Sequence, residues 1–470
     1  MSFPHYDEYK DSDVTWLGEV PSHWNVDRIK HSTESCRNGI WGSEAQDDEN
    51  DIPCIRVADF DWSRLRVNSS DLTIRNVLPG EQKHRILRPG NLILEKSGGG
   101  EKQLVGRVVL YEYNWPAVCS NFTARVVLKT GMVPSYWKYL HAAAYDVRLN
   151  YRSIKQTSGI QNLDQQSYFD ERCGYPPHDE QRAIARLLDH ETAKIDALVA
   201  EQKRLIELLK EKRQAIISHA VTKGLDPNVP MKDSGVEWLG AVPKHWLVGS
   251  LRWYSDVQGG IAKGKDYAGK DVVEMPYLRV ANVQNGHIDL TDVAKIAVLP
   301  GDLERYALRD SDVLMNEGGD NDKLGRGAVW HAEIDPCLHQ NHVFAIRPGD
   351  HLRAEWLALF TASASARSYF YLYSKQSTNL ASISSSNVMS CPVPLPHTTE
   401  QEQILKDVKR YTESIDEMAA EASKAVDLLT ERRSALISAA VTGKIDVRDW
   451  QPLTDESAAG SAVQSTEANA

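Results

Sequence analysis

The chain has 470 residues, too many for one ordinary hydrophobic core, and at 41% hydrophobic and 25% charged it has the make-up of a soluble globular protein of two to four domains. Its 54 Lys and Arg against 65 Asp and Glu give a net charge of −11, which argues against a uniformly basic nucleic-acid binder and leaves room for a local basic cleft or an acidic face toward a basic partner. Six scattered cysteines without a Cys-x-x-Cys pair, no signal-peptide pattern and no membrane-length apolar run predict a cytoplasmic protein with free thiols, no zinc and no membrane contact.

In chain order, residues 14–24 read VTWLGEVPSHW and residues 53–58 read PCIRVA. Short β-branched runs follow at 91–94, 106–111 and 123–128, punctuated by Pro79-Gly80 and Pro89-Gly90, and they predict strands. Two polar loops stand out among them. The first is Glu95-Lys96-Ser97-Gly98-Gly99-Gly100-Glu101-Lys102. Its glycines let backbone amides approach a phosphate and its lysines complete the charge; a plain flexible turn is the alternative. The second is Lys155-Gln156-Thr157-Ser158-Gly159-Ile160-Gln161-Asn162. Gln and Asn can bond adenine bidentately, Lys and Arg can bond guanine, and Ser or Thr can reach phosphate.

Between Asp179 and Thr222 there is no proline and no glycine, and an apolar stripe through Ile184, Leu188, Ile195, Leu198, Leu205, Leu209 and Ile216 predicts a long helix. The chain then begins again. Residues 236–246 read VEWLGAVPKHW, identical to 14–24 at eight of eleven positions, including both tryptophans. Residues 276–281 (PYLRVA) echo 53–58, and the polar loops return as residues 316–327 and 375–382. A second run without proline or glycine, between Thr399 and Thr442, carries a heptad seam: Ile404, Val408, Tyr411, Ile415, Met418, Ala422, Ala425, Leu429, Arg432 and Leu436. The last residues, rich in Ser, Ala, Glu and Gly, predict a disordered tail.

A repeat of about 220 residues is a domain-sized module rather than a solenoid unit. Two modules that share a frame and differ in their middles, roughly 60–170 and 284–390, suit one architecture with two recognition surfaces; duplication with neutral drift is the alternative. Helices of about 40 residues would reach roughly 60 Å if unbroken, with a break near His190 one way to shorten that. They are expected to pair antiparallel within one chain, or else to dimerise the protein. The charged clusters at 210–213 and 431–433 read as solvated helix faces, with a partner or phosphate contact the alternative. Catalytic motifs are missing: no Gly-x-Ser-x-Gly, no His-Glu-x-x-His, no methyltransferase loop and no nucleotide P-loop. Asp59 with Glu95-Lys96 and Glu101-Lys102 makes only a weak nuclease-like set.

The opening Trp16–Trp24 and its copy Trp238–Trp246 resemble the start of type I restriction–modification specificity subunits. So do the lead-ins to the helices, Pro176-Pro177-His178-Asp179-Glu180-Gln181 and Pro396-His397-Thr398-Thr399-Glu400-Gln401, and the closing Ala220-Val221-Thr222 and Ala440-Val441-Thr442. The resemblance spans roughly residues 10–450. It implies an α+β fold: two β-rich target-recognition domains (1–178 and 225–398), two long antiparallel helices forming a coiled-coil spacer (179–224 and 399–446), pseudo-twofold symmetry, and a tail from 447 to 470. It implies a non-catalytic reader of bipartite double-stranded DNA that docks two methyltransferase subunits and restriction subunits. This chain would hold no cofactor, with S-adenosylmethionine on the methyltransferase. No base-reading residue carries over by motif, so candidates come from the polar loops. Lys96, Lys102, Arg107, Lys155, Lys323, Arg326 and Lys375 are expected at phosphate or guanine, and Gln156, Gln161, Asn162, Gln376 and Asn379 at adenine. Ser97, Thr157, Ser158, Asn316, Ser377 and Thr378 complete the loops. A coiled-coil interaction protein and a stand-alone DNA nuclease are the competing readings.

Overall fold

The computed structural model describes residues 3–100, 103–157, 159–264, 269–319, 324–325, 327–376 and 381–452. They form two compact units, one holding the residues up to Lys203 and from Lys424 onward, the other Arg204–Ser423.

In the first unit the strand Asn91–Glu95 is buried along its whole length and lies inside a sheet of six strands. Alternation divides its side chains between two cores. Leu92 and Leu94 join Val108 and Leu110 over the helix Pro134–Asp146, where Trp137, Tyr136 and Leu140 fill the space. Ile93 turns the other way, to Val109, Tyr111 and Ile55. This is why a nearly continuous apolar run forms a strand here: both faces are covered. The second unit repeats the division, with Val313 and Met315 on the helix side with Trp356, and Leu314 opposite with Val343 and Ala345.

The repeated sequence motifs make the junction between strands and long helices. The first long helix is His178–Lys223, unbroken at His190, and the second is Thr398–Val441. Glu180, at the start of the first, accepts from Trp24 Nε1 (2.9 Å) and Tyr6 Oη (2.6 Å) and pairs with His23 (2.7 Å). Glu400 in the second unit holds Trp246 Nε1 (3.0 Å) and His245 (2.9 Å) in the same way. The glutamine beside each carboxylate staples the helix start to its unit: Gln181 accepts from Val133 N and donates to Pro176 O, and Gln401 does so with Arg353 N and Pro396 O. Thus the Trp-x-x-x-x-Pro-x-His-Trp and Glu-Gln motifs are two halves of one joint.

The second helix ends at Val441, earlier than the 446 expected, because Gly443 takes φ +72° and turns the chain. Beyond it, Val447 is buried in the first unit's core and the Trp450 ring lies 5.3 Å from His190. The chain therefore stays packed past the point where the sequence suggested a tail; residues 453–470 lie outside the described ones.

The expected seam is only partly buried. Ile404, Val408, Ile415 and Ala422 are covered, while Tyr411 and Met418 on the second helix and Leu198 and Leu205 on the first are exposed. A lone neighbouring helix shields only a narrow stripe. The basic clusters supply cross-helix ties: Arg433 binds Asp196 in the first unit and Arg213 binds Asp416 in the second, both at 3.0 Å. All six cysteines are unpaired. Among the described residues no helix is long and apolar enough to cross a membrane.

Candidate nucleic-acid interface

The two polar loops of each repeat, some sixty residues apart in sequence, are joined by backbone pairing. In the first unit Ser97–Gly98 pairs with the strand Ile160–Leu163, which pairs in turn with Ile154–Thr157. In the second, Gly318–Gly319, Ala381–Ser382 and Lys375–Gln376 form the same three-stranded ribbon. Glycine is required at 99: its φ is +63°, and a Cβ there would stand 2.7 Å from Gln103 O.

The candidate residues fall into distinct groups. Lys155, Gln156 and Asn162 lie exposed on the first ribbon, and Lys375 and Gln376 on the second. Lys155 pairs with Asp164 at 2.7 Å, which pulls that carboxyl below its ordinary range, and Asn162 accepts from Ser97 Oγ at 2.6 Å. Lys96 is half-buried, its backbone fixed by Phe122 O and Leu163 N. Two of the amides are buried. Gln161 is 3% exposed, donates to Gly100 O (3.1 Å) and accepts from Val105 N (3.2 Å), so it clamps the glycine loop. Asn316 is 2% exposed and donates to Val280 O and Val283 O. Arg107 packs on the rings of Trp62 (4.6 Å) and Tyr145 (5.0 Å). Thr157 is placed by its backbone in the first ribbon. Lys102, Ser158, Lys323, Arg326, Ser377, Thr378 and Asn379 lie outside the described residues.

Of the weak nuclease set, Glu101 and Lys102 lie outside the described residues. Asp59 is held by the Arg56 guanidinium (2.8 Å) and by Arg56 N (2.7 Å), and Glu95 is buried at the end of its strand. Burial pushes the Glu95 carboxyl up to about 7, against the pull of Arg107 and its backbone amide. Among the described residues no group of three or more His, Cys, Asp and Glu is placed to hold a metal.

A basic cluster outside the polar loops escaped the sequence reading. Arg125 and Arg37 sit directly opposite each other on antiparallel strands. Like charges in that relation destabilise a sheet. Arg88, Lys83 and His84 join them around a depression of about 330 Å³, with Glu34 the one acid among its described lining residues. Burial and the neighbouring Arg88 and Arg37 cations lower the Arg125 pKa. Its guanidinium is nonetheless fixed, donating to Asn91 Oδ1 (2.7 Å) and His84 O (3.1 Å). Among the described residues, the second unit has no counterpart of the Arg125–Arg37 pair. Thr123 pairs with Glu95 as Val343 pairs with Asn316, and on that register Ala345 and Gln258 stand where Arg125 and Arg37 do. The arginine on the same strand, Arg347, is bound to buried Asp312 at 2.8 Å. The signal in the sequence was a lone arginine inside a β-branched run, but only strand register brings Arg37 to it.

No protein-family profile matches the sequence. Individual relatives do. The chain is 23% identical over 451 residues to the type I restriction enzyme EcoKI specificity subunit of Escherichia coli, covering 92% of this chain and 91% of the relative. It is 20% identical over 450 residues to the putative type I restriction enzyme MjaX specificity subunit of Methanocaldococcus jannaschii, covering 94% and 98%. Among solved structures, a chain from work on complex assembly and conformational transition of the type I R-M system superposes with a TM-score of 0.67 at 14% identity, over 90% of this chain and 98% of that one. The HsdS subunit from Thermoanaerobacter tengcongensis gives 0.52 at 14% identity, over 91% and 98%. Along nearly all its length the chain is similar in sequence to type I restriction enzyme specificity subunits, and its mixed helix-and-strand fold resembles that of the HsdS structure.

Proposed function

We propose that this chain is the sequence-reading component of a type I restriction–modification complex. The observation that carries the reading is the similarity to specificity subunits over 92% of the chain. The Arg37, Arg88 and Arg125 cluster supports it, as a prepared site for phosphate on an otherwise acidic molecule. Two recognition modules, 1–178 and 225–398, read the two halves of a bipartite DNA target. The long helices pair as an antiparallel coiled-coil spacer that sets the distance between half-sites, about one helical turn or ~34 Å apart. Two methyltransferase subunits dock on the pseudo-twofold frame, restriction subunits join them, and S-adenosylmethionine chemistry belongs to the methyltransferase. The chain contributes no catalysis.

The exposed ribbon residues Lys155, Gln156, Asn162, Lys375 and Gln376 are the proposed groove contacts, together with Lys102, Lys323 and Arg326 of the glycine loops. The test is adenine-methylation sequencing of a host genome carrying the cognate methyltransferase gene, with and without this gene. A split motif that appears only with both genes is the expected result. An active methyltransferase that gains no motif overturns the reading in favour of a coiled-coil interaction protein.

A further inference from the structure

The first unit holds a cavity whose far wall lies outside the polar ribbon. It measures about 930 Å³ and opens beside the glycine loop. Trp41 and Phe122 line it, 38% and 46% exposed, and Arg75 stacks on Trp41 at 4.6 Å to hold that ring. Ser120, Asn121 and Gln103 add polar groups, and its Arg56 is already bound to Asp59.

Glu95 also lines this cavity. Its side chain is 1% exposed, and Oε2 has no hydrogen-bond partner among the described residues. A buried acceptor without a donor is unfavourable, and its persistence calls for a reason. The second unit places Asn316 at the same register position. Its Nδ2 is committed to Val280 and Val283, and its Oδ1 is likewise buried and without a partner among the described residues. Two different residue types thus each leave one buried oxygen, Glu95 Oε2 and Asn316 Oδ1, without a hydrogen-bond partner among the described residues. A carboxyl in this position disfavours phosphate, and a single carboxylate is a poor metal site. Aromatic walls favour a flat, apolar-faced ligand.

We propose that this cavity binds a planar, amino-bearing heterocycle, the chemistry that adenine and cytosine present, with the Glu95 carboxyl accepting from the exocyclic amino group and Trp41 and Phe122 contacting the ring. The heterocycle is either a base of the bound DNA or a free nucleoside; the first source rests on the DNA-reading function proposed above. Glu95 would then be a specificity-determining residue for one position of one half-site.

The test uses the full-length chain assembled with its methyltransferase, selected on a randomised duplex library, and the full-length chain alone titrated with adenosine and with cytidine. Wild type is compared with Glu95→Leu and Phe122→Ala. If the ligand is a DNA base, Glu95→Leu loses about ten- to a hundredfold of the preference at a single base pair and leaves every other position unchanged. If the ligand is a free nucleoside, base preference is unaffected while saturable nucleoside binding disappears in Glu95→Leu and weakens in Phe122→Ala. Unchanged base preference together with no nucleoside binding by wild type overturns the proposal. Should Glu95→Leu fail to fold, exposed Phe122→Ala decides by the same two readouts. A wild-type complex without any sequence preference defeats the DNA-reading function instead, and the nucleoside titration then decides for the cavity alone.

Discussion

Arg37 and Arg125 oppose each other across a strand pair with Arg88 alongside, an arrangement that lowers stability and that a bound phosphate, as proposed above, would relieve. Replacing Arg37 with Ala should therefore separate two quantities. DNA affinity should fall and the salt dependence of binding should flatten by about one unit of slope, as for one lost phosphate contact. The melting temperature should hold or rise. Weaker folding with unchanged DNA binding would refute the assignment. Glu180 is the contrasting case, since it answers three donors, Trp24, Tyr6 and His23, where Glu400 answers Trp246 and His245. Each buried donor left alone costs about 1–3 kcal/mol. Glu180→Ala should lower stability to denaturant by roughly 3 kcal/mol or more, and Glu400→Ala by less. Glu95 gives a pH dependence whose sign is fixed. Its carboxyl lies at about 7 in the folded chain against an ordinary 4.5. Between those values the folded state holds a proton that the unfolded state has released, so stability falls as pH rises through the window, by up to roughly 3 kcal/mol. Below 4.5 both states are protonated and the contribution is complete. Denaturant titrations of Glu95→Gln across this range should lack that slope.

At the level of elements, the long helices end on glycines whose surroundings differ. A Cβ on Gly443 would meet Pro21 Cδ at 2.3 Å, whereas on Gly224 it would rest 3.4 Å from Trp246 Cζ2. Both positions take positive φ, so Ala is strained at either, by about 1 kcal/mol. The clash makes Gly443→Ala the more damaging, which thermal unfolding of the two variants should rank. The paired helices offer a second comparison. The Arg433–Asp196 and Arg213–Asp416 ties have equal length, but the first has both side chains 15% exposed and the second 38% and 56%. A double-mutant cycle should give the second pair under about 1 kcal/mol and the first pair more. Both helices were legible in the sequence because nothing in either run breaks a helix, and the stripe marked the covered face through Ile404, Val408 and Ile415. Tyr411 and Met418 carried the same periodic signal and yet lie exposed, because periodicity reports which face is apolar and not whether anything covers it.

Across the whole molecule, the internal repeat was the most legible feature, and it located the ribbon loops and the helix joints. What it did not disclose was charge. Arg37, Arg88 and Arg125 are scattered through 88 residues of sequence, and only antiparallel register and a loop crossing collect them. The burial of Gln161 was hidden for the opposite reason: a polar residue in a polar loop looks available until the loop is seen closing around it. The division into units has a consequence for synthesis. The Arg204–Ser423 unit is continuous in sequence, whereas the other waits for its last piece, from Lys424 onward. Ile437, Ala440, Val441 and Val447 belong to its core, beside Trp24, Ile184 and Leu188. On a ribosome adding about 5–20 residues per second, the first-made part of that core stands uncovered for on the order of ten to forty seconds. The order of folding is thus the reverse of the order of translation: the unit begun first is completed last, and a nascent chain released early would present an open apolar face to chaperones or to its neighbours.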